Sequence, residues 1–259
     1  MPDQLRLRLC RTAREGRSRA GYDEVEVSVE RATDSVLDVI ERAWSEDDPS
    51  LAFRHACHHG SCGTCTVRVD GRERMPCITP LADVWNGRGV LTIEPLRGVP
   101  LIADLVIDPK EQIGRMAAVR FPYVRAVEAD ARFASGATDI ATDADVGTAE
   151  RFEDCLECLA CVSACPVASG APEYLGPAVL AAAQRVLEEP RHQDVDRVLD
   201  LVDTDHGIWQ CRSAWACSAV CPAGVDPAAR IMDLRRRVLT GRGRANAFRV
   251  ESVAAGMAR

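Results

Sequence analysis

The sequence predicts an α+β chain in two unlike parts, a small mixed sheet followed by a helical region. Three observations carry this expectation. Apolar residues alternate with polar ones at Leu5, Leu7 and Leu9 and again at Val25, Val27 and Val29, as in half-buried strands. From about Asp104 onward the apolar spacing changes to helical periods. Eleven of the twelve cysteines fall into three spaced sets, one in the first part and two in the second.

The elements follow in order. The two alternating runs, joined by a Gly/Arg-rich turn around Gly16 to Gly21, read as a hairpin. Asp34 or Ser35 can cap a helix reaching Trp44, with Val36, Val39, Ile40 and Ala43 on one face. After a cysteine loop, Thr66 to Val69 reads as a strand closed by the Asp70-Gly71 turn, and Val90 to Ile93 as another. Strand, strand, helix, loop, strand, strand is the order of a small β-grasp ferredoxin domain, assigned to residues 1–105. In the helical part, 106–259, Ala134 to Gly147 is small and polar and reads as a loop. Gly176-Pro177 opens a helix through Leu187 that Pro190 stops. Val195, Val198, Leu199 and Val202 mark a second helix, and Asp226-Pro227 starts a third with Ile231, Leu234 and Val238 inward.

The cysteine sets supply the chemistry. The first is Cys57-x4-Cys62-x2-Cys65 with Cys77 after eleven more residues. The second is Cys155-x2-Cys158-x2-Cys161-x3-Cys165-Pro166, and the third Cys211-x5-Cys217-x3-Cys221-Pro222. A shift of 56 residues lays the second set on the third at every position but one, where Ala214 answers Cys158. Thiolates are soft anionic ligands that select iron–sulfur clusters, zinc or cuprous copper. Zinc needs closed sets of four, and the seven cysteines of the second part do not divide that way. The first set has the plant-ferredoxin spacing of a 2Fe–2S cluster, and paired C-x2-C-x2-C-x3-C-P runs exchange their fourth ligands. On that pattern Cys155, Cys158, Cys161 and Cys221 hold a 4Fe–4S cluster. Cys165, Cys211 and Cys217, one thiol short, hold a 3Fe–4S cluster.

Other features exclude or say little. A net charge of −7, with no basic excess, argues against nucleic acid as a partner. Only Lys110 among 32 basic residues is lysine, which reflects genome composition, and the arginines from Arg235 to Arg249 read as a solvated helix face. The charged N-terminus lacks the apolar stretch of a secretory signal, and no run approaches the length of a membrane helix. Both point to a soluble chain in the cytoplasm, where thiols stay reduced. Cys10 reads as a small core residue. His58 and His59, between two ligands, raise a Rieske-type arrangement, but four cysteines already complete that site. No nucleotide loop, nucleophile elbow or catalytic carboxylate pair stands out, so no catalytic residue is assigned and the chain reads as a conductor of electrons. Three unlike clusters suggest a wire from a two-electron donor, such as a flavin, to a remote acceptor.

The order of these three sets resembles the iron–sulfur subunit of succinate dehydrogenase and fumarate reductase. So do Pro100 to Asp108, Tyr174 to Leu180, and Gly207 to Cys211, the last closer to the fumarate reductase branch. The resemblance implies a complex in which an FAD-containing flavoprotein interconverts succinate and fumarate, and in which a membrane anchor binds quinone. It places the chain on the inner face of the cell membrane through that anchor, with the 2Fe–2S domain toward flavin and the 3Fe–4S cluster beside quinone. Pro166, Ser213 and Trp215 are its candidate quinone neighbours. This chain departs from the family at Ala223, where lysine is usual, at Val167, Ala168 and Ser169, at Arg212, and at His58, where arginine is usual. Competing readings are the iron–sulfur subunit of another flavin-dependent dehydrogenase, which typically lacks the first cysteine set, and a free-standing multi-cluster carrier.

Overall fold

A computed structural model describes residues 3–13, 20–121, 155–188 and 195–256, with side chains as far as 241. Most of the turn at Gly16 to Gly21, the loop at 134–147, Pro190, His192 and the side chains of Arg242, Arg244 and Arg249 lie outside that description.

Strands β1 (Asp3–Arg11) and β2 (Gly21–Val29) pair antiparallel from Asp3↔Val29 to Arg11↔Gly21. Their alternation buries Leu5, Leu7, Leu9, Val25, Val27 and Val29. Ser35 caps helix α1 (Val36–Arg42): its Oγ accepts from Asp38 N, and the Asp38 carboxylate accepts from Ser35 N at 2.7 Å, which closes a capping box. Asp34 is the other partner at this end, bonded to Arg42 and to Glu30 N. Beyond Arg42 the helix widens into a π-helical turn over Ala43–Asp47, so Trp44 lies in that turn rather than in the helix.

Two short elements, a 3₁₀ turn at Pro76–Ile78 and helix α2 (Leu81–Val84), follow a hairpin of β3 (Val67–Val69) and β4 (Arg72–Arg74). Asp70 and Gly71 both take positive φ there, as a tight two-residue hairpin requires. β5 (Val90–Glu94) then lies parallel to β1 and antiparallel to β3, giving the sheet order β2-β1-β5-β3-β4 with α1 against it. This is the expected β-grasp.

The next segment departs from the helical expectation. β6 (Leu101–Ala103) and β7 (Val106–Ile107) form a small separate hairpin before helix α3 (Lys110–Ala118). Its turn holds Asp104, which has no exposed surface, while Leu101 and Ile102 are exposed, so no amphipathic period marked the hairpin in sequence. Asp104 receives hydrogen bonds from Thr12 N (2.8 Å) and Ala52 N (2.9 Å) and lies 3.3 Å from Arg11, itself buried and paired also with Asp23 and Asp48. Leu96 and Val99 belong to the helical core and Leu105 to the sheet core, so the chain crosses between the two cores here.

The helical part is built on α4 (Ala160–Ala164), α5 (Gly176–Glu188), α6 (Val195–Val202), α7 (Ala216–Ala219) and α8 (Pro227–Gly256). α5 is buried on almost every side, which its small alanines allow, and α8 packs along it through Ile231, Leu234 and Val238. Asp226 caps α8 by accepting from Ala229 N. Among the described residues no helix is long and apolar enough to cross a membrane.

Candidate metal centres

The first cysteine loop runs between α1 and β3. His58, Gly60 and Gly63 take positive φ in it, which curls the backbone around the sulfurs. Ser61 N donates to Cys57 Sγ at 3.3 Å, Cys62 Sγ lies 3.2 Å from Thr64 Oγ1, and Cys65 Sγ is 3.5 Å from Cys77 Sγ. Hydrogen bonds, chiefly from Ser61 and then from the backbone at His59, pull the half-buried Cys57 thiol down to about 5. Burial pushes Cys65 up to about 12, with Cys77 and Cys62 adding repulsion. His59 contacts the Cys57 carbonyl, and His58 turns toward His55 and Glu41, so neither imidazole is engaged with a sulfur.

The other two sets show the 56-residue repeat in the backbone as well as in the sequence. Glu157 and Leu159 take positive φ immediately before α4, and Ser213 and Trp215, 56 positions later, do the same before α7. These kinks aim successive side chains inward. Cys155, Cys158, Cys161 and Cys221 line one cavity, together with Leu156, Pro222 and Val225. Cys165, Cys211 and Cys217 line another with Pro166, Tyr174 and Ala214, and Ser213 and Trp215 sit on its wall. Val225 N donates to Cys221 Sγ and Ser213 N to Cys211 Sγ, each at 3.4 Å. Cys10, by contrast, packs against the sheet core.

These donor sets fit iron–sulfur clusters. Burial, reinforced by neighbouring sulfurs, raises Cys155 and Cys217 to about 11 and Cys161 well above its ordinary value. Anionic sulfur crowded into apolar cavities is tenable only against a cationic partner, which an iron core supplies.

Two contacts bring the three sets into a series. Gly63, at φ +69°, leaves room for the second loop: a Cβ there would meet the Leu156 carbonyl at 2.7 Å and Cys158 Cβ at 2.8 Å. α4, which carries Cys161, packs against α7, which carries Cys217. A buried bridge ties the scaffolds together, since Ser163 of α4 donates to Glu73 of β4 at 2.7 Å and accepts from Arg97 N.

Comparison with known proteins agrees with this geometry. Residues 6–113 match the 2Fe-2S iron-sulfur cluster binding domain and residues 151–225 the 4Fe-4S dicluster domain. The fumarate reductase iron-sulfur subunit of Mycobacterium tuberculosis is 32% identical over 234 residues, covering 89% of this chain and 91% of the relative. This chain belongs to the family of fumarate reductase and succinate dehydrogenase iron–sulfur subunits. The Escherichia coli O6:H1 fumarate reductase subunit is 32% identical over 77% of this chain and 79% of its own length. A mitochondrial succinate dehydrogenase iron-sulfur subunit of Oryza sativa is 31% identical over 78% and 70%. In structure the chain resembles one in the Mycobacterium smegmatis Sdh1 complex in the apo form, with a TM-score of 0.78 and 25% identity over 92% of this chain and 96% of that one. Like these family members, the chain is an iron–sulfur subunit of an oxidoreductase with 2Fe–2S and 4Fe–4S domains.

The structure brings the eleven clustered cysteines together in the groups that the sequence spacing predicts. Sequence reasoning missed Tyr174, buried on the wall of the third cavity with Cys165, Cys211 and Cys217, where burial and then the neighbouring sulfurs push its hydroxyl up. It also missed Thr66, buried in the first half and lining a cavity shared with Cys158. Neither carries a sequence signal, because each acts across a fold contact.

Proposed function

We propose that this subunit relays single electrons between the FAD of a partner flavoprotein and quinone at a membrane anchor, in a succinate:quinone oxidoreductase on the inner face of the cell membrane. The observation that carries the reading is the serial packing of the three cysteine sets, first against second where Gly63 meets Leu156 and Cys158, second against third where α4, which carries Cys161, packs on α7, which carries Cys217.

In this reading Cys57, Cys62, Cys65 and Cys77 hold 2Fe–2S, Cys155, Cys158, Cys161 and Cys221 hold 4Fe–4S, and Cys165, Cys211 and Cys217 hold 3Fe–4S. When bound, such clusters accept and release electrons one at a time. The protein's part is placement. Gly63 keeps the first two sets close, the 163–73 bridge fixes their scaffolds, and the apolar walls lower the local dielectric around both inner sets. Pro166, Ser213 and Trp215 stand at the third cavity, with Trp215 47% exposed, and form the quinone-facing side. A division into 1–105 and 106–259 assigns one cluster to the first unit and two to the second.

The test isolates the chain with its natural partners, reduces the complex with succinate and follows it by rapid-freeze electron paramagnetic resonance. Reduction of all three centres before quinol appears supports the relay. Quinol formation at an undiminished rate in a complex lacking any one of the three centres overturns it.

A further inference from the structure

Outside the cysteine sets, one group of side chains converges on a point. His55 Nδ1 lies 2.9 Å from His58 Nε2 and 3.2 Å from Glu41 Oε1, and His58 Nε2 lies 3.5 Å from the same oxygen. Glu41 comes from α1, the two imidazoles from either side of Cys57. That Glu41 oxygen is shielded from solvent and makes no hydrogen bond among the described residues.

We propose that Glu41, His55 and His58 form a binding site for one divalent cation of the Zn²⁺ type, separate from the cluster ligands. Two imidazole nitrogens and a carboxylate oxygen are a donor set such ions take, with the fourth position left to water. The spacing fits: bonds of about 2.0–2.1 Å in a tetrahedron put neighbouring ligand atoms roughly 3.3 Å apart. The three separations bracket that value at 2.9, 3.2 and 3.5 Å.

The rings are held in place beforehand. His55 stacks on Phe53 with centroids 5.0 Å apart and planes 14° from parallel, and Phe53 meets Trp44 edge-on at 6.1 Å. His58 is fixed by its left-handed backbone at φ 58°. Both imidazoles remain partly exposed, which leaves the ion a route of entry. A bound ion staples α1 to the cysteine loop, a role distinct from electron relay.

The experiment is equilibrium dialysis of the purified complex against micromolar Zn²⁺, with zinc and iron both counted by elemental analysis. Wild type is expected to bind one added zinc per chain with its iron content unchanged, and H206A, altered at an exposed histidine paired elsewhere, to match it. Because loss of supporting partners alone costs metal sites about 10–100-fold, E41Q and H55A should each weaken binding by roughly ten-fold or more. E41Q lies on the helix and leaves the cysteine loop intact, so it remains informative if H55A does not fold. No added zinc in wild type, equal affinity in E41Q, or zinc uptake only in step with iron loss would overturn the proposal.

Discussion

At Ala214 a methyl group occupies the register position that Cys158 fills 56 residues earlier, and each side chain lines the cavity of its own set. Because the other three cysteine positions, the proline that follows them and the paired left-handed residues are kept, restoring the sulfur with A214C supplies the missing fourth ligand. The expected outcome is loss of the oxidised three-iron resonance, a cubane signal in its place and slower quinone reduction, read by electron paramagnetic resonance and turnover. Asp104 matters for a different reason. It is fully buried, accepts from Thr12 and Ala52, and faces the buried Arg11. Arg11 keeps Asp23 and Asp48, but removing the carboxylate leaves the N–H groups of Thr12 and Ala52 without their acceptor at a cost of about 1–3 kcal/mol, so D104A should lower the thermal midpoint by roughly 2–12 °C. Differential scanning of the holo-subunit checks this.

Among the elements, the first two cysteine loops meet at Gly63. G63A places a Cβ against the Leu156 carbonyl at a φ of +69°, a conformation alanine adopts reluctantly, so one loop must move away. Iron content should stay at the wild-type level while electron transfer from the first centre to the second slows, measured by rapid freezing after reduction of the flavoprotein. Element by element, the sequence was most legible where a local pattern and a local structure coincide. The alternating Leu and Val residues became β1 and β2, Asp70-Gly71 became the hairpin turn, and Asp226-Pro227 opened α8. What escaped was fixed by distant partners. The β6–β7 hairpin exists because Asp104 is drawn into the Arg11 cluster, and α4 and α7 are short turns wrapped by cysteines and too brief to show a helical period.

Over the whole molecule, the two cores stand in different relations to their metal. The sheet core of leucines, valines and isoleucines excludes the first cysteine set apart from its edge, whereas Cys155, Cys161, Cys165, Cys211 and Cys221 pack directly against the helical core. Without a cationic centre those crowded sulfurs must be protonated or expelled, since several are pushed far up by burial and mutual repulsion. Stripping the iron should therefore strip hydrogen-exchange protection from α4, α5 and α7 while β1, β2 and β5 keep theirs, and equal loss in both halves would count against this division. The cysteine spacing groups the thiols as the structure brings them together, but although Gly63 lies within the Cys62-x2-Cys65 spacing, nothing in sequence says that its open side faces Leu156 and Cys158 of the second set.

The most direct test of the central claim, that eleven thiols hold three unlike clusters in series, is iron and zinc analysis joined to Mössbauer spectroscopy of the anaerobically purified complex. The expected result is about nine iron atoms per chain, resolved into two-iron, four-iron and three-iron components. Zinc as the principal metal, or iron spectra holding only cubane components, would contradict it.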